Sequence, residues 1–438
     1  MFQVLSNSWA LLLGMGLIML GNGLQGSLLG VRASIEGFET SVTGLIMSGY
    51  FIGIVIGCQI VPRMVAKVGH IRIFGALASL ASTAILVQAV FITPWLWWAM
   101  RLVTGFSYAG IYIVAESWLN EASENRTRGQ LLSIYMLISL GGMAGGQLLL
   151  NLANPSGYDL FVLVSLLVSL ATIPILVTVS QAPSYEVLEK VGVVQLYRVA
   201  PIGIFGMFLT GMAMGTIFGM GAVFTTSIGM SVKDVSFFMG TMIIGGFIFQ
   251  YPLGWMSDRI GRRSVIIGSC LGGAAISFFA TTQTEQGMLF FAITAVIGGM
   301  TMPLYSLCSV QTNDYLTPEQ MVPASGTLVL LNASGAALGA PITAAAMEMF
   351  GPDAFFGSIG VIMSLVALFS LWRMTQRADI SAEDRGDFVV MAPTPLSVSL
   401  SHNVELEVIE AAASMDSASI QTSFEDLSRE LENPVEER

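Results

Sequence analysis

Apolar stretches of about twenty residues follow one another along most of the chain, separated by short polar breaks. That length is what a helix needs to cross the hydrocarbon layer of a bilayer. The pattern predicts spans over 8–31, 42–62, 72–91, 94–118, 128–152 and 158–180. A more polar stretch from Gln181 to Arg198 interrupts, and six more spans follow over 200–228, 234–256, 263–282, 286–310, 321–347 and 352–373. The predicted fold class is an all-α membrane protein with twelve transmembrane helices in two six-helix bundles. Residues 1–180 form the first bundle, 181–198 a cytoplasmic central loop, and 199–373 the second bundle. Residues 374–438 form an acidic tail, read as solvated and without fixed structure apart from a short helix at 404–413.

Composition strengthens this reading. The 438 residues are 54% hydrophobic and 11% charged, against about 25% charged in a soluble domain. Lipid must therefore cover much of the surface. The 47 glycines and 26 methionines suit close helix contacts and irregular interiors. The net charge of −11 is uneven: residues 1–373 carry 14 Lys+Arg and 15 Asp+Glu, and residues 374–438 carry 4 and 14. The acidity belongs to the tail and argues against a nucleic-acid partner. Cys58, Cys270 and Cys308 lie in apolar segments without metal-ligand or disulfide spacing and read as buried thiols. The start of the chain lacks the basic residues of a secretory signal, so the first apolar stretch is read as a retained helix.

Basic residues in short loops set orientation. With the N-terminus inside, the inner loops and helix ends hold Arg63, Lys67, Arg72, Arg126, Arg128, Lys190, Arg198, Arg259, Arg262, Arg263, Arg373 and Arg377, and the outer loops hold only Arg32 and Lys233. Both termini are expected in the cytoplasm, and the sequon at Asn125 falls on that side. The halves also resemble each other. Gly69 and Gly261 are offset by 261 − 69 = 192, while Gly105/Gly298, Tyr112/Tyr305 and Asn120/Asn313 are each offset by 193. Parallel repeats of this kind place a solute site between halves near the bilayer midplane.

Between spans 8 and 9 the chain reads Gly254-Trp255-Met256-Ser257-Asp258-Arg259-Ile260-Gly261-Arg262-Arg263. This resembles the loop signature G-x-x-x-D-R-x-G-R-R of the major facilitator superfamily, at the place where that superfamily carries it. The resemblance covers about residues 1–375. Within it, Gly21 to Gly26, Arg32 to Phe38, Ala115 to Asn120 and Thr127 to Gly129 look like the bacterial YcaD-like branch, which brings no agreed substrate. The resemblance implies the major facilitator fold, a small-molecule substrate, the bacterial inner membrane and a functional monomer. It implies that Asp258 faces the start of span 5 near Thr127 to Gln130, with Arg259, Arg262 and Arg263 pairing with inner-loop carboxylates or lipid phosphates. Gly254, Asp258, Arg259, Gly261, Arg262 and Arg263 would then latch an inner gate, or the arginines would only set topology. The first-half copy has Ala66 where the Asp would stand, Lys67 at the first Arg, and His70 and Ile71 at the last two, so a weaker contact is expected there.

Polar groups inside spans are costly and are functional candidates by default. Arg101, Gly105, Tyr108, Tyr112 and Glu116 recur at helical spacing on span 4. Arg101 could attract an anionic group or tune a proton-binding carboxylate, or it could bond carbonyls of a neighbouring helix. Glu116 could carry protons, or pair with Arg63, Lys67 or Arg126 in place of the acid missing at position 66. Asn22, Gln25 and Arg32 form a stripe on span 1, serving a polar substrate or helix packing. Gln250 and Tyr305 are candidates from the second half, and Thr210, Met214, Phe218 and Phe224 make a largely apolar face on span 7. Gln147 and Asn332, in glycine-rich helices, read as packing groups. His70 is placed in an inner loop and His402 in the tail, so neither relays protons at mid-membrane. No nucleotide-binding loop is visible, and no cofactor is expected.

The sequence thus points to a secondary transporter, with proton-coupled export of an apolar or amphipathic compound as the leading expectation. An uncoupled facilitator or importer, and a non-transporting sensor acting through its acidic tail, are the alternatives. Deleting residues 380–438 separates these classes: solute flux is expected to survive the deletion if the bundles do the work, and a signalling output is expected to fail if the tail does.

Overall fold

A computed structural model describes residues 2–122, 128–177, 191–283 and 286–376. The first half contributes α1 (Phe2–Ile35), α2 (Thr40–Val68), α3 (His70–Val90), α4 (Pro94–Ala122), α5 (Arg128–Leu149) and α6 (Asp159–Val177). The second contributes α7 (Val193–Val199), α8 (Pro201–Ser227), α9 (Val232–Ile260), α10 (Arg262–Ala280), α11 (Met288–Thr301), α12 (Leu304–Asn313), α13 (Pro318–Phe350) and α14 (Ala354–Met374). Among the described residues there is no strand, and ten helices are long and apolar enough to cross a membrane, α11 and α12 counting as one. The 29-residue α4 and the 22-residue α5 pack beside them as helices of like length. Several helices exceed the ~20 residues a bilayer requires, which tilt and projecting ends accommodate.

Three details differ from the sequence expectation. The polar stretch before span 7 holds a helical turn pair, α7, whose Leu196 is buried against the second half. Span 10 is two helices, because Pro303 has no N–H to continue the ladder and the chain turns at Met302-Pro303. His70 opens α3 instead of lying in a loop; it is 1% exposed, with Nε2 3.0 Å from Ser117 Oγ.

The outward surface is apolar. Val162, Leu166, Leu170 and Ile173 of α6, and Val361, Leu365, Leu368 and Trp372 of α14, all stand exposed. A soluble protein rarely presents such continuous patches, so these faces meet lipid tails. Lipid tails are as apolar as leucine, so burying leucine between helices gains little there, and close backbone packing carries the association instead.

Glycines provide that closeness, and they do so twice. In α2, a Cβ on Gly53 would collide with the Leu102 carbonyl of α4, and in α9 a Cβ on Gly245 would collide with the Ala295 carbonyl of α11. Returning across the same crossings, Gly105 lies on the Tyr50 carbonyl and Gly298 on the Met242 carbonyl. The offsets are 245 − 53 = 192, 295 − 102 = 193, 298 − 105 = 193 and 242 − 50 = 192. The pair α1·α5 is repeated by α8·α13 with the same offsets: Gly23 meets Met143 and Gly215 meets Ala336, while Gly146 meets Leu20 and Gly339 meets Met212. The sequence repeat is therefore a repeat of helix crossings.

The two halves meet mainly through α2 with α13, α1 with α8 and α5 with α9. Three hydrogen bonds join them among the described residues. Ser34 and Thr226 hydroxyls lie 2.9 Å apart, Ser41 N donates to Glu348 Oε2 at 3.2 Å, and Asn151 Nδ2 donates to Ser236 Oγ at 3.0 Å. All three lie at the end that the basic-residue pattern assigns to the outside. Farther in, α2 and α13 stay in contact as far as Cys58 and Val329, which share an apolar cluster with Ala109.

Valine at Gly53 or Gly245 must push two backbones apart, at a cost of about 1–3 kcal/mol or more. Each substitution is expected to lower the thermal unfolding midpoint of the detergent-purified protein or its accumulation in the membrane. Gly272→Ala, where the nearest atom is the Met300 Cε at 4.0 Å, is expected to be tolerated; equal losses from all three would remove the crossing argument.

Candidate functional site

A cavity of about 180 Å³ lies between the halves. The first half lines it from α1 (Met19, Asn22, Ser27), α2 (Tyr50, Phe51), α4 (Arg101, Tyr112) and α5 (Tyr135, Ser139, Gln147). The second half adds Met214 and Phe218 of α8, Met239 of α9, and Val329, Asn332 and Ala333 of α13. The second-half wall is apolar apart from Asn332, whereas the first-half wall mixes the polar groups with Met19, Phe51, Met136 and Met143. No carboxylate lies among these described lining residues.

Arg101 is the cationic member. It is 4% exposed, and its guanidinium sits 4.5 Å from the centre of the Tyr50 ring. Its Nε is buried without a hydrogen-bond partner among the described residues, and no ion pair involves it there. Around it, Asn22 Nδ2 donates to Tyr112 Oη at 3.0 Å, and the Tyr50, Tyr108 and Tyr112 rings follow one another at 6.1 and 6.0 Å. The α2·α4 crossing sets this geometry. Gly49 and Gly53 let α2 press on the turn of α4 that carries Arg101, and Gly105 one turn later receives the Tyr50 backbone.

Of the residues singled out from sequence, the structure brings Asn22, Arg101 and Tyr112 to the cavity. Tyr108 lies behind them, buried between Tyr50 and Tyr112. Gln25 is 1% exposed and does not line the cavity. Arg32 is a correction: helix α1 ends only three residues later, and the guanidinium is committed to the adjoining loops. Nη1 donates to the carbonyls of Pro155 at 3.0 Å, Gly157 at 3.1 Å and Ser156, and Nε pairs with Glu36 at 2.6 Å. Gln250 and Tyr305 also lie off the cavity; Gln250 Nε2 donates to Ser306 Oγ at 2.7 Å, tying α9 to α12. Glu116 is fully buried and accepts from Tyr135 Oη at 3.3 Å, so it stands behind a residue that lines the cavity.

Tyr50, Ser27, Tyr135 and Ser139 were not anticipated. Single hydroxyls and rings inside apolar helices carry no periodic signal. Gln147 and Asn332 combine packing with lining. Gln147 Nε2 donates to the Gly23 carbonyl at 2.9 Å and its Oε1 accepts from Ser27 Oγ at 2.5 Å. Asn332 Nδ2 donates to the Met207 carbonyl at 3.2 Å.

The loop motif forms a second site. Helix α9 ends at Ile260, Gly261 turns the chain at φ +100°, and α10 starts at once with Arg262. Gly69 does the same between α2 and α3 at φ +92°. A residue with a Cβ rarely adopts such backbone, so both turns call for glycine. Arg262 is 1% exposed; its Nε meets Asp314 Oδ2 at 2.5 Å and its Nη1 meets Asp258 Oδ1 at 3.4 Å. Arg263 Nη2 donates to Tyr315 Oη, and Arg259 covers the Trp255 ring at 4.0 Å. The second-half turn is thus held by charge, and at its first-half counterpart the contact among the described residues is that of His70 with Ser117. Thr127 and the side chains of Arg128 and Gln130, towards which Asp258 was expected to point, lie outside the described residues, as do the 125–127 sequon, 178–190 and the chain from 377.

Comparison with known proteins adds to this. The family model described as "Major Facilitator Superfamily" matches residues 203–406, and the one described as "Sugar (and other) transporter" matches residues 25–195. The chain is similar to the uncharacterised MFS-type transporter YcaD of Escherichia fergusonii, 25% identical over 82% of this chain and 94% of that protein. It is likewise similar to an uncharacterised MFS-type transporter of Enterobacter sp. (strain 638), 24% identical over 84% and 95%. Among solved structures, a mutant of the nucleoside transporter NupG superposes with a TM-score of 0.72 at 15% identity, over 83% of this chain and 98% of that one. A bacterial homologue of the human lysosomal transporter Spinster, inward-facing and occupied, superposes with a TM-score of 0.68 at 14% identity, over 86% and 97%. The apolar multi-helix fold, the cavity between its halves, family models matching part of each half and relatives spanning most of its length lead to one conclusion: the chain is a multi-pass membrane protein similar along most of its length to MFS-type transporters.

Proposed function

We propose that the chain is a proton-coupled secondary transporter that exports an apolar or amphipathic small solute through the Arg101 cavity. Residues 1–180 and 199–373 rock against each other as two bundles, with 181–198 as the cytoplasmic link and 374–438 as an acidic appendage. The protein sits in the bacterial inner membrane with both termini in the cytoplasm and works as a monomer. The observation that carries this reading is the cavity itself. It is enclosed by both halves, so moving one half against the other changes which side can reach it. The hydrogen bonds of Ser34, Ser41 and Asn151 across the halves support a seal on the outer side.

The inner gate in this reading is the 258–263 turn. Arg262 gathers Asp258 and Asp314 around one buried guanidinium, which leaves Asp258, with 36% of its side chain exposed, as the group offered to the first half. Asp314→Asn removes the better-buried partner of Arg262 and is expected to cost about 3–5 kcal/mol of stability. Arg259→Ala, at an exposed position, is expected to stay within about 0.5 kcal/mol. Thermal unfolding of the purified variants checks both. Asp258→Asn is expected to insert normally and to lower flux by about tenfold, the effect of roughly 1.4 kcal/mol on the access equilibrium. Wild-type flux in that variant would end the gating role.

Proton coupling rests on Glu116, whose hydrogen bond from Tyr135 joins it to the cavity wall. The absence of a carboxylate among the described lining residues favours the rival, an uncoupled facilitator. Flux in proteoliposomes with and without an imposed pH gradient separates the two. Glu116→Gln is expected to abolish the acceleration by the gradient while leaving downhill exchange. If the variant fails to accumulate, the carboxylate is structural; if the gradient response persists in a folded variant, the coupling role is wrong.

A further inference from the structure

A buried arginine in a membrane helix normally finds a carboxylate or a set of carbonyls. Arg32 shows the usual solution in this chain, spending its guanidinium on Glu36 and three loop carbonyls. Arg101 does not. It is as deeply buried, lies on the cavity wall, and makes no hydrogen bond or ion pair among the described residues. The Tyr50 ring orients it by a cation–π contact, which leaves its N–H groups unpaired.

The repeat shows that the helix crossing does not require this charge. Tyr50 and Arg101 of the α2·α4 crossing correspond to Met242 and Thr294 of the α9·α11 crossing, at the same offsets of 192 and 193 (242 − 50 and 294 − 101). Thr294 is neutral and satisfied by the Phe291 carbonyl at 2.8 Å. One crossing therefore carries a dehydrated cation that its twin omits, and only the one with the cation opens it onto the cavity.

The surroundings define what would complete it. Asn22 and Ser139, whose hydroxyl is buried without a geometric hydrogen-bond partner among the described residues, lie on the Arg101 wall, while Met214, Phe218 and Met239, beside Asn332, line the cavity from the second half. We infer that the cavity binds an amphipathic organic monoanion, with its carboxylate or sulfonate on Arg101 and its apolar body against Met214, Phe218 and Met239. A planar carboxylate matches the fork of a guanidinium. A cavity of about 180 Å³ takes a body of one or two rings, since about 150 Å³ accommodates benzene. This assignment rests on the transporter reading above and narrows its solute class.

Purified full-length protein titrated with 2-naphthoate, 2-naphthalenemethanol and 2-naphthylmethylammonium tests it by thermal shift. Naphthoate is expected to raise the unfolding midpoint with an apparent Kd at least tenfold tighter than the alcohol, and the ammonium to produce no shift. Arg101→Gln should bring naphthoate down to the affinity of the alcohol, and Arg101→Lys should keep part of the preference. Equal binding of acid and alcohol, an unchanged preference in Arg101→Gln, or no shift with naphthoate, octanoate or benzenesulfonate would overturn the inference. If Arg101→Gln does not accumulate, the matched probes on the unaltered protein decide by themselves. Counterflow in proteoliposomes separates the two readings. Saturable naphthoate binding without flux overturns transport and leaves the anion site, whereas equal flux of acid and alcohol leaves transport and removes the anion site.

Discussion

Backbone-to-backbone contact at glycine is the interaction on which the structure depends. In lipid the driving force for bringing helices together is packing, and packing is best where no side chain intervenes. Gly53, Gly105, Gly245 and Gly298 place α2 on α4 and α9 on α11 so closely that an added methyl group would overlap a carbonyl. Gly23, Gly146, Gly215 and Gly339 do the same for α1 on α5 and α8 on α13. These crossings fix the inward faces of the helices that enclose the cavity. The apolar faces left over, on α6 and α14 for example, go to lipid.

Given two copies of one framework, the differences between them become informative. The buried cation on the cavity wall belongs to the first half, and the corresponding helix of the second half has threonine. The reverse holds at the turns. Arg262, Asp258 and Asp314 brace the second-half turn, while the first-half turn has Ala66 in place of an acid and, among the described residues, the contact of His70 with Ser117. Charge lies at the cavity wall in one half and at the turn in the other. The two cations are thereby kept away from the same acids.

The fold was legible because hydrophobic length is a blunt constraint that twenty residues at a time satisfy or fail. The break at Pro303 was not, because proline inside a membrane helix is often absorbed by its neighbours: Pro62 and Pro252 lie within unbroken α2 and α9. The cavity lining was legible where a group is conspicuous in apolar sequence, as with Asn22, Arg101 and Tyr112. Tyr50 was not conspicuous, since a ring in an apolar helix reads as core until a partner helix shows which way it faces. Arg32 misled for the opposite reason. Its charge is conspicuous, but α1 runs to Ile35, and the loop at 155–157 folds over it.

The link between framework and site is most direct at Arg101. Gly105 sits one helical turn beyond it and receives the Tyr50 backbone, so the contact that holds α4 to α2 also delivers the Tyr50 ring to the guanidinium. An arginine on a loosely packed helix could swing to the membrane surface, as long basic side chains do. Here the crossing denies it that route: the ring covers one face, and the open side is the cavity. The cost of keeping a cation in that position is met only when something negative arrives. Occupancy of the cavity and the relaxation of a strained charge are in that sense the same event. A solute that supplies the counter-charge would also change how firmly the first-half wall holds its shape.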